Sequence, residues 1–365
     1  MTPDKRNYGL DFLRIVSMLF VVILHIIGHG GLLYTTPDSG SFSTVWLMNI
    51  IAYPAVNCFV LISGYVGYHE ENYYPNLRNI IYLYFTAIFY SLVLHGIFNF
   101  LHPQDFSLKT WVYALLPVST RQYWFFSCYF ILFFVSPMIH CFVDHMNTKM
   151  CITSFGIIFL FLSIPTLFFD PIGMNKGFGF IWFMVMYLLG SIIKKTNLCA
   201  KISIGKTLLL TGFMYLLTWG VKLSSLWKDI WVDGTQLSDI LIAYSSPTIL
   251  LASLGIFCLF AKLKVKPCFQ KILKLLTPGI FSVYLIHDNL YIRNYAIAGQ
   301  FFYINDRPAL LIPAVIFIIA LVIFLLCLAI DRLRIGLFRL LHISFLSAKS
   351  ENLLKSLCSH FEKNE

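Results

Sequence analysis

Residues 10–27 read LDFLRIVSMLFVVILHII. A helix that crosses the roughly 30 Å hydrocarbon layer of a bilayer needs about 20 mostly apolar residues, and this stretch has that length. It carries Arg14 and His25 and has no small-residue cleavage site behind it, so it reads as a retained first span and not as a signal peptide. Stretches of the same kind recur to the end of the chain. The 365 residues are 58% hydrophobic and only 12% charged, about half the charge of an average soluble domain, and 35 Phe and 20 Tyr suit lipid-facing surfaces and interfacial belts.

Working outward from the first span, hydropathy predicts nine more: 43–68 (bent near Pro54), 79–101, 123–143, 151–169, 178–193, 207–222, 239–261, 279–295 and 309–330. The fold class is all-α, a polytopic integral membrane bundle of about ten transmembrane helices. One membrane domain occupies residues 1–331, because no polar block is long enough to hold a core of its own. Residues 332–365 form an amphipathic tail whose segment 332–346 alternates Arg with Leu, Ile and Phe and lies on the membrane surface.

Lys and Arg set the orientation. With the N-terminus cytoplasmic, Lys109, Arg121, Lys176, Lys222, Lys228 and Arg307 fall outside and Arg293 falls within a span. The remaining 20 of the 27 basic residues lie on the cytoplasmic side, as does the C-terminus. The net charge of +10 is thus a topology signal on inner loops, and nucleic acid needs no place among the partners. Membrane lipid is the partner the composition demands. Nine cysteines, four of them (Cys58, Cys128, Cys141 and Cys258) inside or at the ends of apolar runs, give no disulfide framework and no Cys-x-x-Cys metal spacing.

Ionisable groups inside a bilayer are costly and mark candidate sites. Arg14 and His25 are 11 residues apart, only about 20° from three full helical turns, so they share a face with a rise of roughly 16 Å between them. A guanidinium low in a cavity can hold an anionic group such as a phosphate, and an imidazole higher up can take a proton from a hydroxyl. The plainer alternative has Arg14 snorkelling to inner headgroups and His25 bonding a neighbouring helix. His29 stands one helical step from His25, a metal-ligand spacing without a third ligand, so no metal is assigned. Asp11 is either an ion-pair partner of Arg14 or part of the site. Asn57, Ser63 and Tyr65 serve either helix packing or function. Arg121 and Trp124 open the fourth span, where Trp is commonly a belt residue. His287 and Asp288 lie deep enough in the ninth span to be functional or networked. His95, His102 and His140 are placed at span ends, on the surface.

These residues carry a family resemblance. Leu10-Asp11-Phe12-Leu13-Arg14 through Val22-Ile23-Leu24-His25 resembles the Arg-x10-His segment of the bacterial membrane acyltransferases of type 3, the O-acetyltransferases of surface polysaccharides and related acceptors. Phe59-Val60-Leu61-Ile62-Ser63-Gly64-Tyr65 is similar to that family's Ser-Gly-Tyr ending of the second span. Tyr123-Trp124-Phe125-Phe126 through Ser136-Pro137, Tyr187-Leu188-Leu189-Gly190 and Val283-Tyr284-Leu285-Ile286-His287 match in the same order. The resemblance implies that His25 is the catalytic base and that Arg14 helps bind the acyl donor. The family's Arg-x-x-Arg pair is half present, as Arg78 followed by Ile81.

The resemblance further implies an integral-membrane O-acyltransferase in a bacterial plasma (inner) membrane. It would use cytoplasmic acetyl-CoA as donor, hold no cofactor tightly, and acylate a glycan or lipid-linked sugar, directly or through an acyl intermediate. Arg14 and Arg78 would meet the donor, while Arg121, Trp124, Tyr284 or the His287–Asp288 region would position the acceptor, with Asp11, Ser63 and Tyr65 as further polar candidates. Some family members carry an extracytoplasmic hydrolase-like domain; its work would fall here to this chain alone or to a separate partner enzyme. The alternative is a small-molecule transporter or membrane-binding module on the same scaffold, which would accumulate substrate in vesicles without CoA.

Overall fold

The structure is a computed structural model that describes residues 6–36, 39–71, 77–226, 231–232 and 235–362. Lys5, Lys228 and Lys363 of the charge count lie outside the described residues. The described residues form sixteen α-helices: α1 Tyr8–Gly28, α2 Phe42–Ala52, α3 Ala55–Gly67, α4 Leu77–Leu101, α5 Leu108–Leu115, α6 Trp124–Asp144, α7 Thr148–Ile157, α8 Phe180–Thr196, α9 Leu198–Lys201, α10 Ile204–Leu223, α11 Pro247–Ala261, α12 Pro267–Leu276, α13 Ile280–His287, α14 Leu290–Ile292, α15 Ile312–Leu340 and α16 Ile343–Glu362. The only strands among the described residues form a two-residue antiparallel ribbon pairing Trp231 with Gln236 and Val232 with Thr235.

The bundle is built around α1. Asn7 caps it by accepting from the Leu10 amide, and the same side chain donates to the Ala261 carbonyl at the end of α11. From there α1 packs on α2, α3, α11, α12, α13 and α15. The most extensive crossing is α3 on α8. A Cβ on Gly64 would sit 2.1 Å from the Tyr187 carbonyl oxygen, and one on Gly190 would sit 2.3 Å from that of Leu61. Two of the motifs quoted above therefore meet each other, and their glycines exist to let two backbones touch.

Eight helical stretches among the described residues are long and apolar enough to cross a membrane, nine if the 80° bend before α8 joins 171–177 to it. The eighth expected span, 239–261, is shortened to the 15 residues of α11, about 22 Å long, because Ser246 caps a helix that starts at Pro247. The expected span at 279–295 is displaced and broken. Its apolar stretch runs Pro267–His287 through a turn at Thr277–Gly279, and the helix stops at Asp288. The boundary drawn at residue 331 falls inside α15, which continues to Leu340. Asp331 and Arg334 are buried there, joined at 2.7 Å, and bonded to Tyr90 and Tyr82 of α4, so this part of the tail belongs to the bundle. His95 and His140 are likewise buried, not superficial. His140 Nε2 meets the Tyr187 hydroxyl at 2.9 Å and His95 Nδ1 meets that of Tyr291, because packing on α8 and on the segment after α13 covers them.

Candidate active site

A cavity of about 1140 Å³ follows one face of α1. Arg14, Met18, Val21, His25 and Gly28 line it at the three- and four-residue steps of a helix face, so the two ends of the first span open on one space. Successive spans alternate in direction, which divides the wall into levels. Near Arg14 lie Ser63, Asn79, Tyr82 and Thr277, and beyond His25 lie Trp46, Asn49, Lys176, Asp239 and Arg293.

At the Arg14 end, Asp11 is buried and accepts from Arg6 at 2.5 Å and from Arg14 at 2.8 Å. Its carboxylate fixes Arg14 while leaving the guanidinium partly exposed to the cavity. Arg78 is exposed in the first turn of α4 and is not on the cavity wall; its neighbour Asn79 is.

At the level of His25 the broken helix supplies the partners. His287 Nδ1 lies 2.6 Å from the Val283 carbonyl oxygen, an atom that can only accept, so Nδ1 carries the proton. Neutral His287 then offers a bare Nε2, which lies 2.9 Å from His25 Nδ1. His25 must donate from Nδ1, and its Nε2 is left as the proton acceptor. Asp288 Oδ1 stands 3.7 Å from His25 Nδ1 and 3.5 Å from Arg293 Nη1, a carboxylate placed to stabilise the imidazolium formed when His25 takes a proton. The helix break that positions Asp288 is itself supported: Tyr123 donates to the Leu285 carbonyl at 3.1 Å and Asn289 donates to the Tyr123 hydroxyl at 2.9 Å. Tyr284 lines the same cavity, and its buried hydroxyl has no hydrogen-bond partner among the described residues.

His25, His29 and Asp288 have ligand atoms within 4.8 Å of one another, so the fold supplies the third group that the His25–His29 step lacked. With Arg293 beside Asp288 and His25 tied to His287, the group reads as a proton and charge relay.

The other candidates separate. Ser63 and Trp124 are on the cavity wall. Tyr65 packs on Phe257 with Lys194 over its ring, away from the cavity. Arg121 is exposed, at a left-handed turn (φ 52°) before α6. Asn57 is buried among Tyr244, Ser253 and Trp182, an internal tie. Sequence reasoning missed Asn289, Asn49 and Asp239, none of which stands out in its own segment, and quoted Tyr123 only as the start of a motif.

Arg14 and His25 stand at opposite levels of one cavity, and His25 Nε2 is placed to accept a proton, a geometry compatible with acyl transfer. Comparison with protein families agrees: a model described as an acyltransferase domain matches residues 7–332. The chain belongs to the acyltransferase type 3 family. The match covers α1 to the middle of α15, so Arg14, His25, His287 and Asp288 of this acyltransferase all fall within it. Neither the comparison with curated proteins nor that with solved structures finds a match.

Proposed function

We propose that this acyltransferase moves an acetyl group from cytoplasmic acetyl-CoA to a hydroxyl of an extracytoplasmic or lipid-linked glycan, across a bacterial inner membrane. The observation that carries the proposal is the single cavity that holds Arg14 at one level and His25, with its Nε2 free to accept a proton, at another. The rise of about 16 Å between them suits a donor with a long flexible arm. The phosphates of CoA lie by Arg14 and Asn79, with Arg78 at the entrance, and the pantetheine arm runs along α1 towards His25.

His25 Nε2 takes the proton of the acceptor hydroxyl as its oxygen bonds to the thioester carbonyl carbon. Asp288 holds the imidazolium and the Tyr284 hydroxyl donates to the carbonyl oxygen as it gains charge. The C–S bond then breaks, and the CoA thiolate leaves with the proton from His25. The test is acetyl transfer from labelled acetyl-CoA in membranes carrying the full chain, with surface-glycan O-acetyl content read by NMR. His25→Ala should lower transfer by a factor on the order of 10²–10⁴, and Arg14→Ala should raise the acetyl-CoA KM, with both proteins still in the membrane. Full transfer by the His25 variant would overturn the mechanism.

A further inference from the structure

The geometry points to an acceptor subsite for an uncharged pyranose ring on the far side of His25 from Arg14, with Trp46 as its stacking surface, Asn49 and Asp239 as its hydroxyl partners, and Lys222 as the residue that positions Asp239. It rests on the acyltransferase reading above and adds where the acceptor binds and what recognises it.

Lys222 closes α10 and is buried, with only 4% of its side chain exposed. Its Nζ lies 2.6 Å from Asp239 Oδ1 and 3.4 Å from Ser238 Oγ, and 3.9 Å from the centre of the Trp46 ring. A buried ammonium needs such partners, and the pair locks both the carboxylate and the indole. Asp239 is nonetheless a third exposed and lines the cavity, and its Oδ2 has no partner among the described residues. Asn49, 4% exposed, also lines the cavity, and its amide makes no hydrogen bond among the described residues. The Trp46 indole N–H is buried without a partner among the described residues. Around these polar atoms the wall is aromatic. Tyr53 lies 4.7 Å from Tyr244, which lies 4.8 Å from Phe178, and all three line the cavity with Trp124.

This chemistry excludes most occupants. An acyl chain would displace water from the amide and the carboxylate oxygen and leave them unpaired. An anion in contact with this wall would meet the Asp239 carboxylate, and the cations on the same level, Lys176 and Arg293, are the groups it would pair with instead. A cation would find that carboxylate already compensated by Lys222. A ring with apolar faces and hydroxyls at its edge suits the groups that face the cavity: faces on the aromatics and O–H donors to Asp239 and Asn49.

The test uses the full chain in nanodiscs and saturation-transfer NMR titrations with the methyl glycosides of glucose, galactose and N-acetylglucosamine. Wild type should bind at least one of them saturably. The double variant Lys222→Met/Asp239→Asn removes both charges together, which spares the fold an unpaired buried charge. It should weaken binding at least about tenfold, as loss of a hydrogen bond to a charged group implies. Trp46→Ala should do the same, and Lys222→Arg should restore binding to near the wild-type value. In transfer assays the double variant should raise the acceptor KM and leave the acetyl-CoA KM unchanged. Binding of none of the glycosides by wild type, or equal binding by the double variant, would overturn the subsite. Glycoside binding without any acetyl-CoA-dependent transfer would leave the subsite standing and sink the acyltransferase reading, so the two fail separately.

Discussion

His25 shows what one residue's surroundings decide. Histidine on a helix face can be a base, a ligand or a packing group, and the choice depends on which nitrogen holds the proton. Here the Val283 carbonyl fixes His287, and His287 fixes His25. A leucine at position 287 would keep the bulk and remove the acceptor of the His25 Nδ1 proton. His287→Leu should therefore lower kcat by a factor on the order of 10² with little change in the acetyl-CoA KM, since the wrong tautomer and a free ring both waste the base. Steady-state kinetics with both substrates varied would show it, and an unchanged kcat would remove His287 from the relay. Arg14 and His25 were legible in the sequence because their relation is local, 11 residues on one helix. The bond between His25 and His287 joins residues 262 apart, and no periodicity records it. For the same reason, burial of His95 and His140 depends on partners from distant segments and escaped the reading.

Elements follow the same division. Hydropathy reports length and apolarity, so the long helices α1, α4, α6, α10 and α15 appear in the sequence near their true places. Breaks are tertiary events. The chain can stop a helix at Asp288 inside the bundle because Tyr123 and Asn289 take up the groups that the break frees. It can start α11 late because Ser246 caps it. Glycines divide by the same test of what stands opposite. Gly64→Ala would drive a Cβ to 2.1 Å from backbone at the α3–α8 crossing, whereas at Gly212, within α10, nothing lies within 4 Å of an added Cβ. Gly64→Ala should destabilise the protein by about 1–3 kcal/mol, and Gly212→Ala should be neutral or stabilising by about 0.5 kcal/mol through helix propensity. Thermal melts of both in the same detergent check the pair; equal effects would mean that the α3–α8 contact does not govern stability.

At the scale of the whole molecule, one cavity reaches both levels of the first span, so orientation becomes part of the chemistry. On the spans expected from the sequence, the basic residues divide 20 to six about the membrane, with the start of α1 expected on the rich side. That assignment puts Arg14 where CoA is made and the Trp46–Asp239 wall where surface glycans are assembled. Two positions on opposite ends of the bundle report on it. Cys268, exposed in α12, lies in the Lys-rich stretch after α11, and Asp306, also exposed, lies in the connection before α15. In a background without the other native cysteines, a membrane-impermeant maleimide should label Asp306→Cys in intact spheroplasts and reach Cys268 only after permeabilisation. The opposite pattern would place Arg14 on the side without CoA. His25 would then face the wrong substrate at each level, and the proposed direction of transfer would fall with the topology, even if the residues of the relay stayed as they are.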